Sequence, residues 1–150
     1  SIQQFDKNTT HLLKLFDLYE WKDHLIESYS HGMRQKLIMA SVFILDTPTI
    51  IVDEPMVGLD PKSARIVKEL FKRHSFNGGS VFLSTHSLEI AEELCDKIAI
   101  ILNGKIRIIG DMKSLRKEAS LDNSDLEEVF LQLTNTEDLS KVISALKDMN

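Results

Sequence analysis

Residues 49–55 read Thr49-Ile50-Ile51-Val52-Asp53-Glu54-Pro55, a short β-branched apolar run that stops abruptly in two acids and a proline. A run of this length and composition predicts a strand buried on both faces, with two carboxylates at its C-terminal end. The residues that follow continue the pattern. Asp60-Pro61 predicts a helix start, Asp as cap and Pro at the first helical position, and Ile66, Val67, Leu70 and Phe71 supply an apolar stripe. Asn77-Gly78-Gly79 closes that unit, and Val81-Phe82-Leu83 predicts a second short buried strand. Ser84-Thr85-His86-Ser87 then leads into a helix through Leu88, Ala91 and Leu94. Strand, helix, strand, helix predicts a parallel α/β sheet.

Upstream, Leu12, Phe16 and Tyr19 recur at helical spacing and predict a short amphipathic helix. Ser30-His31-Gly32 opens a stretch, residues 33–45, that is free of glycine and proline and apolar over most of its surface, which predicts a largely buried helix. Downstream, residues 98–102 and 106–109 flank Asn103-Gly104, a strong hairpin signal. A helix over 111–118 and a polar linker over 120–124 follow. Ser124-Asp125-Leu126-Glu127 reads as a capping box opening a helix with Val129, Phe130 and Leu133, and Leu139, Val142, Ile143 and Leu146 mark a last helix.

The 150 residues are 43% apolar, ordinary for a chain that buries a core, which excludes fibrous and fully disordered readings. The net charge of −5, with basic residues scattered, leaves no electrostatic footprint for a nucleic acid. No apolar run approaches the roughly 20 residues a membrane-spanning helix needs. With Cys95 alone, no intrachain disulfide forms, and the reading expects a soluble cytoplasmic protein.

Two adjacent carboxylates at a buried strand tip are how nucleoside triphosphatases hold Mg²⁺ and position an attacking water: Asp53 through water to the ion, Glu54 as general base. Ser30-His31-Gly32 at a helix start offers a hydroxyl, backbone N–H groups and the positive end of the helix dipole to an anion. His86 follows a strand on the same sheet edge as Asp53 and Glu54 and could donate to a γ-phosphate or its water. Singly, each has an ordinary reading: two solvated acids at a strand end, an N-cap, a loop histidine, and Asp60 as a helix cap.

Taken in order, Tyr29-Ser30-His31-Gly32-Met33-Arg34-Gln35, Ile50-Ile51-Val52-Asp53-Glu54-Pro55, Gly58-Leu59-Asp60-Pro61 and Ser84-Thr85-His86 resemble the signature loop, Walker B strand, D-loop and switch histidine of the ATP-binding-cassette (ABC) ATPases of membrane transporters. The hairpin over 98–110 resembles the family's closing hairpin, and residues 126–133 resemble a tail common in export-type members. The resemblance implies a P-loop NTPase-like parallel sheet with flanking helices. Residues 1–119 form part of an ABC ATPase domain, with 1–46 as helical subdomain and 47–119 carrying Walker B, D-loop, switch histidine and hairpin; 120–150 form a C-terminal helical tail. It implies ATP and Mg²⁺ as cofactors, Asp53 toward the ion, and Glu54 and His86 as catalytic residues. It further implies that Ser30, His31, Gly32 and Asp60 contact nucleotide across a head-to-tail pair of cassettes, with Asp60 coupling the two sites. The implied partner is a transmembrane permease, which places the subunit peripherally on the inner face of the cell membrane.

Two departures accompany it. His31 stands where the family usually has glycine, and Met33 where many members have glutamine. The phosphate-cradling G-x-x-x-x-G-K-[ST] is also missing from the 150 residues, since Gly104-Lys105, the one Gly-Lys pair, is a hairpin turn. Gln3 and Gln4 lie too close to the signature loop to be the family's Q-loop. The expectation is therefore the C-terminal part of an export-type ABC ATPase subunit, inactive without a P-loop half. A non-catalytic interaction module that keeps the cassette shape is the alternative. A cassette ATPase of chromosome maintenance would call for long heptads or a basic surface that these residues lack.

Overall fold

The computed structural model describes residues 2–134, with side chains from residue 5 onward. The chain forms two compact units, one through His86 and one from Ser87.

The first unit begins with α1 (Ile2–Leu15). Its helical pattern predicts continuation to Tyr19, but Asp17 adopts a left-handed backbone (φ 57°) and ends it. Phe16 and Leu18 are still fully buried, and Tyr19 sits in a single 3₁₀ turn, Tyr19–Trp21. A second 3₁₀ turn, Ile26–Ser28, leads to α2 (His31–Ile44), whose N-cap Ser30 accepts from the Met33 amide at 3.2 Å. This helix buries only Met39 and Ala40, and Ile38 is half exposed, so the expectation of a largely buried helix is corrected. Its apolar residues encircle the helix, and the packing against α1 and α3 covers one side of it.

The strands β1 (Thr49–Asp53) and β2 (Ser80–Ser84) pair in parallel, with α3 (Pro61–Phe76) as the crossover between them. Asp60 caps α3, accepting from the Ser63 amide at 2.9 Å, and Pro61 occupies its first turn, as the sequence predicts. Val67 and Phe71 bury the inner face of α3, and Phe71 meets the Phe43 ring at 5.5 Å between centroids. Among the described residues, the strands are covered on one face only. Ile50 and Val52 are buried, but Ile51 is 75% exposed and Phe82 66% exposed, which corrects the expectation of strands buried on both faces. A strand alternates its side chains across the sheet, and among the described residues the helices of this unit cover the Ile50–Val52 side.

In the second unit, α4 (Leu88–Leu94) precedes the antiparallel pair β3 (Ile98–Leu102) and β4 (Lys105–Gly110), joined at Asn103-Gly104 and bulged between Ile100 and Ile101. Two helices, α5 (Met112–Ala119) and α6 (Leu126–Leu133), complete a core of Ala91, Ile98, Ile100, Leu115, Ala119, Leu126, Val129 and Leu133. The cap of α6 is Asp125, accepting from the Glu128 amide at 2.9 Å, one residue later than the capping box read at Ser124. Glu92 fixes this turn: it accepts from the Leu126 amide at 2.9 Å and meets Arg116, which donates to the Ser124 carbonyl. The helix expected around Leu139, Val142, Ile143 and Leu146 lies outside the described residues.

Burial separates two phenylalanines sharply. Phe71→Ala should cost about 3–5 kcal/mol, read by urea unfolding, whereas Phe82→Ser should stay within about 0.5 kcal/mol of wild type. An equal loss from both would contradict the one-sided sheet.

Candidate active site

The register Asp53↔Ser84 brings the C-terminal ends of β1 and β2 level, so the residues just beyond them meet side by side. The ladder runs one step further: the Glu54 amide donates to the Ser84 carbonyl at 2.9 Å. Glu54 then turns into the left-handed region (φ 47°), a conformation costing a non-glycine residue about 1–3 kcal/mol. Its bonds hold it there. Glu54 Oε1 accepts from the His86 amide at 2.8 Å and lies 2.7 Å from His86 Nδ1, and Oε2 accepts from Thr85 Oγ1 at 3.1 Å. The neighbouring Asp53 carboxylate accepts from the Ser84 hydroxyl.

Three of the residues singled out in the sequence, Asp53, Glu54 and His86, thus stand together at one sheet edge. The hydrogen bond from His86 holds the Glu54 carboxyl below its ordinary value, helped by the His86 amide and Thr85 and opposed by desolvation. Asp53 is exposed and keeps oxygen lone pairs beyond the one Ser84 uses. Such hard oxygen donors suit Mg²⁺, which is usually held by one or two carboxylates plus substrate phosphates. Among the described residues no group of three or more His, Cys, Asp or Glu could hold a metal ion.

The other candidates form a second cluster. Tyr29 anchors the signature-like loop: it is buried, its hydroxyl donates to the Trp21 carbonyl at 2.7 Å, and its own carbonyl accepts from Arg34. Ser30 and His31 are exposed at the start of α2, and Gly32 is partly buried. Asp60 is bonded to Ser63 through both amide and hydroxyl and meets Lys36 Nζ at 2.7 Å. Lys36 first, then Ser63, holds the Asp60 carboxyl far below the usual carboxylate range. Sequence reasoning missed Ser84, Thr85, Lys36 and Ser63 as partners. The parallel register would have found Ser84; no signal in the sequence points from Lys36 to Asp60.

Known proteins resemble this chain in sequence and in fold. The family described as "AAA domain, putative AbiEii toxin, Type IV TA system" matches residues 22–92. The ABC-type transporter ATP-binding protein EcsA of Bacillus subtilis is 32% identical over 134 residues, 89% of this chain and 54% of EcsA. A solved ATP-binding subunit of an ABC transporter superposes with a TM-score of 0.86 at 31% identity, covering 89% of this chain and 56% of that one. The chain belongs to the ABC transporter ATP-binding family. A fluoroquinolones export ATP-binding protein of Mycobacterium tuberculosis is 39% identical over 82 residues, 55% of this chain and 27% of that protein. The chain spans about half the length of EcsA. Its mixed α/β architecture is that of the cassette ATPases, and among the described residues no helix is long and apolar enough to cross a membrane.

Both lowered carboxylates set a pH dependence. A group whose pKa falls on folding adds stability above its unfolded value, and that stability is lost as pH drops through the folded one. Thermal melts from about pH 7 to about pH 3 should therefore show a shallower acid-side decline for Glu54→Gln than for wild type. Asp60→Ala, which removes a helix cap, should lower stability by about 1 kcal/mol at neutral pH, read by denaturant titration; no change would mean that Asp60 does not hold α3.

Proposed function

We propose that this cassette segment supplies the hydrolytic half of an ATPase that drives an export-type membrane transporter. The pinned Glu54–His86 pair at the end of the parallel strands carries this reading. Residues 1–46 act as helical subdomain with the signature loop, and 47–119 carry Asp53, Glu54, Asp60, His86 and the hairpin. Names that include "transporter" and "export" among the relatives support the coupling to transport, and a transmembrane permease would hold the subunit at the inner face of the membrane.

Glu54 orients and polarises the attacking water. Phosphoryl transfer passes through a loose transition state that asks more for positioning than for a strong base, so a carboxylate held below its ordinary value suits the task. His86, fixed through Nδ1 and its amide, would offer its exposed ring to a γ-phosphate. Asp53, oriented by Ser84, would hold Mg²⁺ through water, and the bound ion would neutralise charge developing on the phosphates. Ser30, His31 and Gly32 offer the start of α2 to the γ-phosphate of ATP held by a second, head-to-tail cassette, and Asp60 links the two sites. These 150 residues hold no P-loop, so turnover requires a P-loop-bearing segment alongside them.

The test is ATP hydrolysis by this chain complemented with a P-loop-bearing cassette half. Glu54→Gln should keep nucleotide binding and lower kcat by about 100-fold or more, and His86→Ala should also lower kcat strongly. Turnover unchanged by Glu54→Gln would overturn the assignment of the base.

A further inference from the structure

Two contacts tie the signature-like loop to the loop that follows β1. Lys36, on α2, reaches Asp60 with Nζ–Oδ2 2.7 Å, and its side chain is 17% exposed, so the pair is sheltered along the lysine stem. Five residues earlier on the same element, the His31 ring lies over Gly58: a Cβ built on Gly58 would stand 2.8 Å from His31 Nε2 and 3.0 Å from Cδ2. Gly32 approaches the same loop, since its own Cβ would meet the Gly58 carbonyl oxygen at 3.2 Å. Gly58 also needs its positive φ of 79°.

Asp60 is no free end of this linkage. Its carboxylate caps α3 through the buried Ser63. Gly58 and Asp60 both belong to the short 54–60 connection, in which the Val57 amide donates to the Glu54 carbonyl at 3.2 Å and the Leu59 amide to the Met56 carbonyl at 3.3 Å. The 30–32 loop is therefore joined through these contacts to the start of α3 and to the segment that begins at Glu54.

We propose that His31 and Lys36 are positioning residues that fasten the 30–32 loop to the 58–60 loop, so that the two move as one body. His31 stands where the resemblance expects glycine, and its ring supplies a contact a glycine could not. Lys36 supplies a charge-assisted bond that holds the same two segments at a second point. Under the ATPase reading, on which the functional half of this inference rests, phosphate engaged at Ser30 or Gly32 shifts Asp60 and the Glu54 segment together.

Amide hydrogen exchange on this chain tests the fastening without any reference to ATP. Lys36→Met should raise exchange at residues 30–34 and 58–60 together, by about threefold or more, and Lys36→Arg should restore both. His31→Gly should raise exchange at 57–59. A Gly58→Ala change should perturb the wild-type background more than the His31→Gly background, because the ring it strikes is gone. Faster exchange along α2 with 58–60 unchanged would overturn the proposal.

Turnover of the complemented cassette tests the consequence. Lys36→Met should lower kcat about tenfold with KM for ATP little changed, and Lys36→Arg should recover most of it. Wild-type turnover in Lys36→Met, with both loops loosened by exchange, would overturn the positioning role. A wild-type complemented cassette that fails to hydrolyse ATP would overturn the ATPase reading instead, leaving exchange alone to decide the fastening.

Discussion

The parallel pairing of β1 with β2 is the constraint on which the candidate site depends. Asp53 lies opposite Ser84, so the chain leaves both strands at the same height and the next residues are forced together. A slip of one residue would send Glu54 to the far side of the sheet and part it from His86, because strand side chains alternate faces. The register is held by Ile50 and Val52, whose burial fixes which face of β1 points inward. The apolar pattern of four residues thereby determines where two carboxylates stand.

The helix starts carry the second half of the arrangement. Ser30 and Asp60 each cap a helix, and each lies within a segment assigned to nucleotide contact. Capping places the peptide N–H groups and the positive end of the dipole beside these loops, so the element that stabilises the helix also shapes the loop. Asp60 joins the two tasks through Lys36, which pulls its carboxylate far below the ordinary range while Ser63 holds the cap.

Much of this was legible in the sequence. The caps at Ser30 and Asp60, the βαβ order, the Asn103-Gly104 hairpin and the grouping of Asp53, Glu54 and His86 all follow from local chemistry or from the order of elements. What failed depended on packing at a distance. A run such as Ile50-Ile51-Val52 looks the same whether one face or both are covered, and the exposure of Ile51 is decided by what lies beyond β1. The end of α1 turned on a left-handed Asp17 that no apolar pattern announces. The Lys36–Asp60 and His31–Gly58 contacts join residues more than twenty positions apart, and nothing local to either partner marks the other.

Calorimetric titration of Mg-ATP into this chain, alone and together with a P-loop-bearing cassette half, tests the central claim most directly. The chain alone should show no measurable binding, and binding followed by hydrolysis should appear on mixing. Micromolar binding by the chain alone would contradict it, because the nucleotide would then be held by groups other than a P-loop and the roles assigned to Asp53, Glu54 and His86 would have to be redrawn.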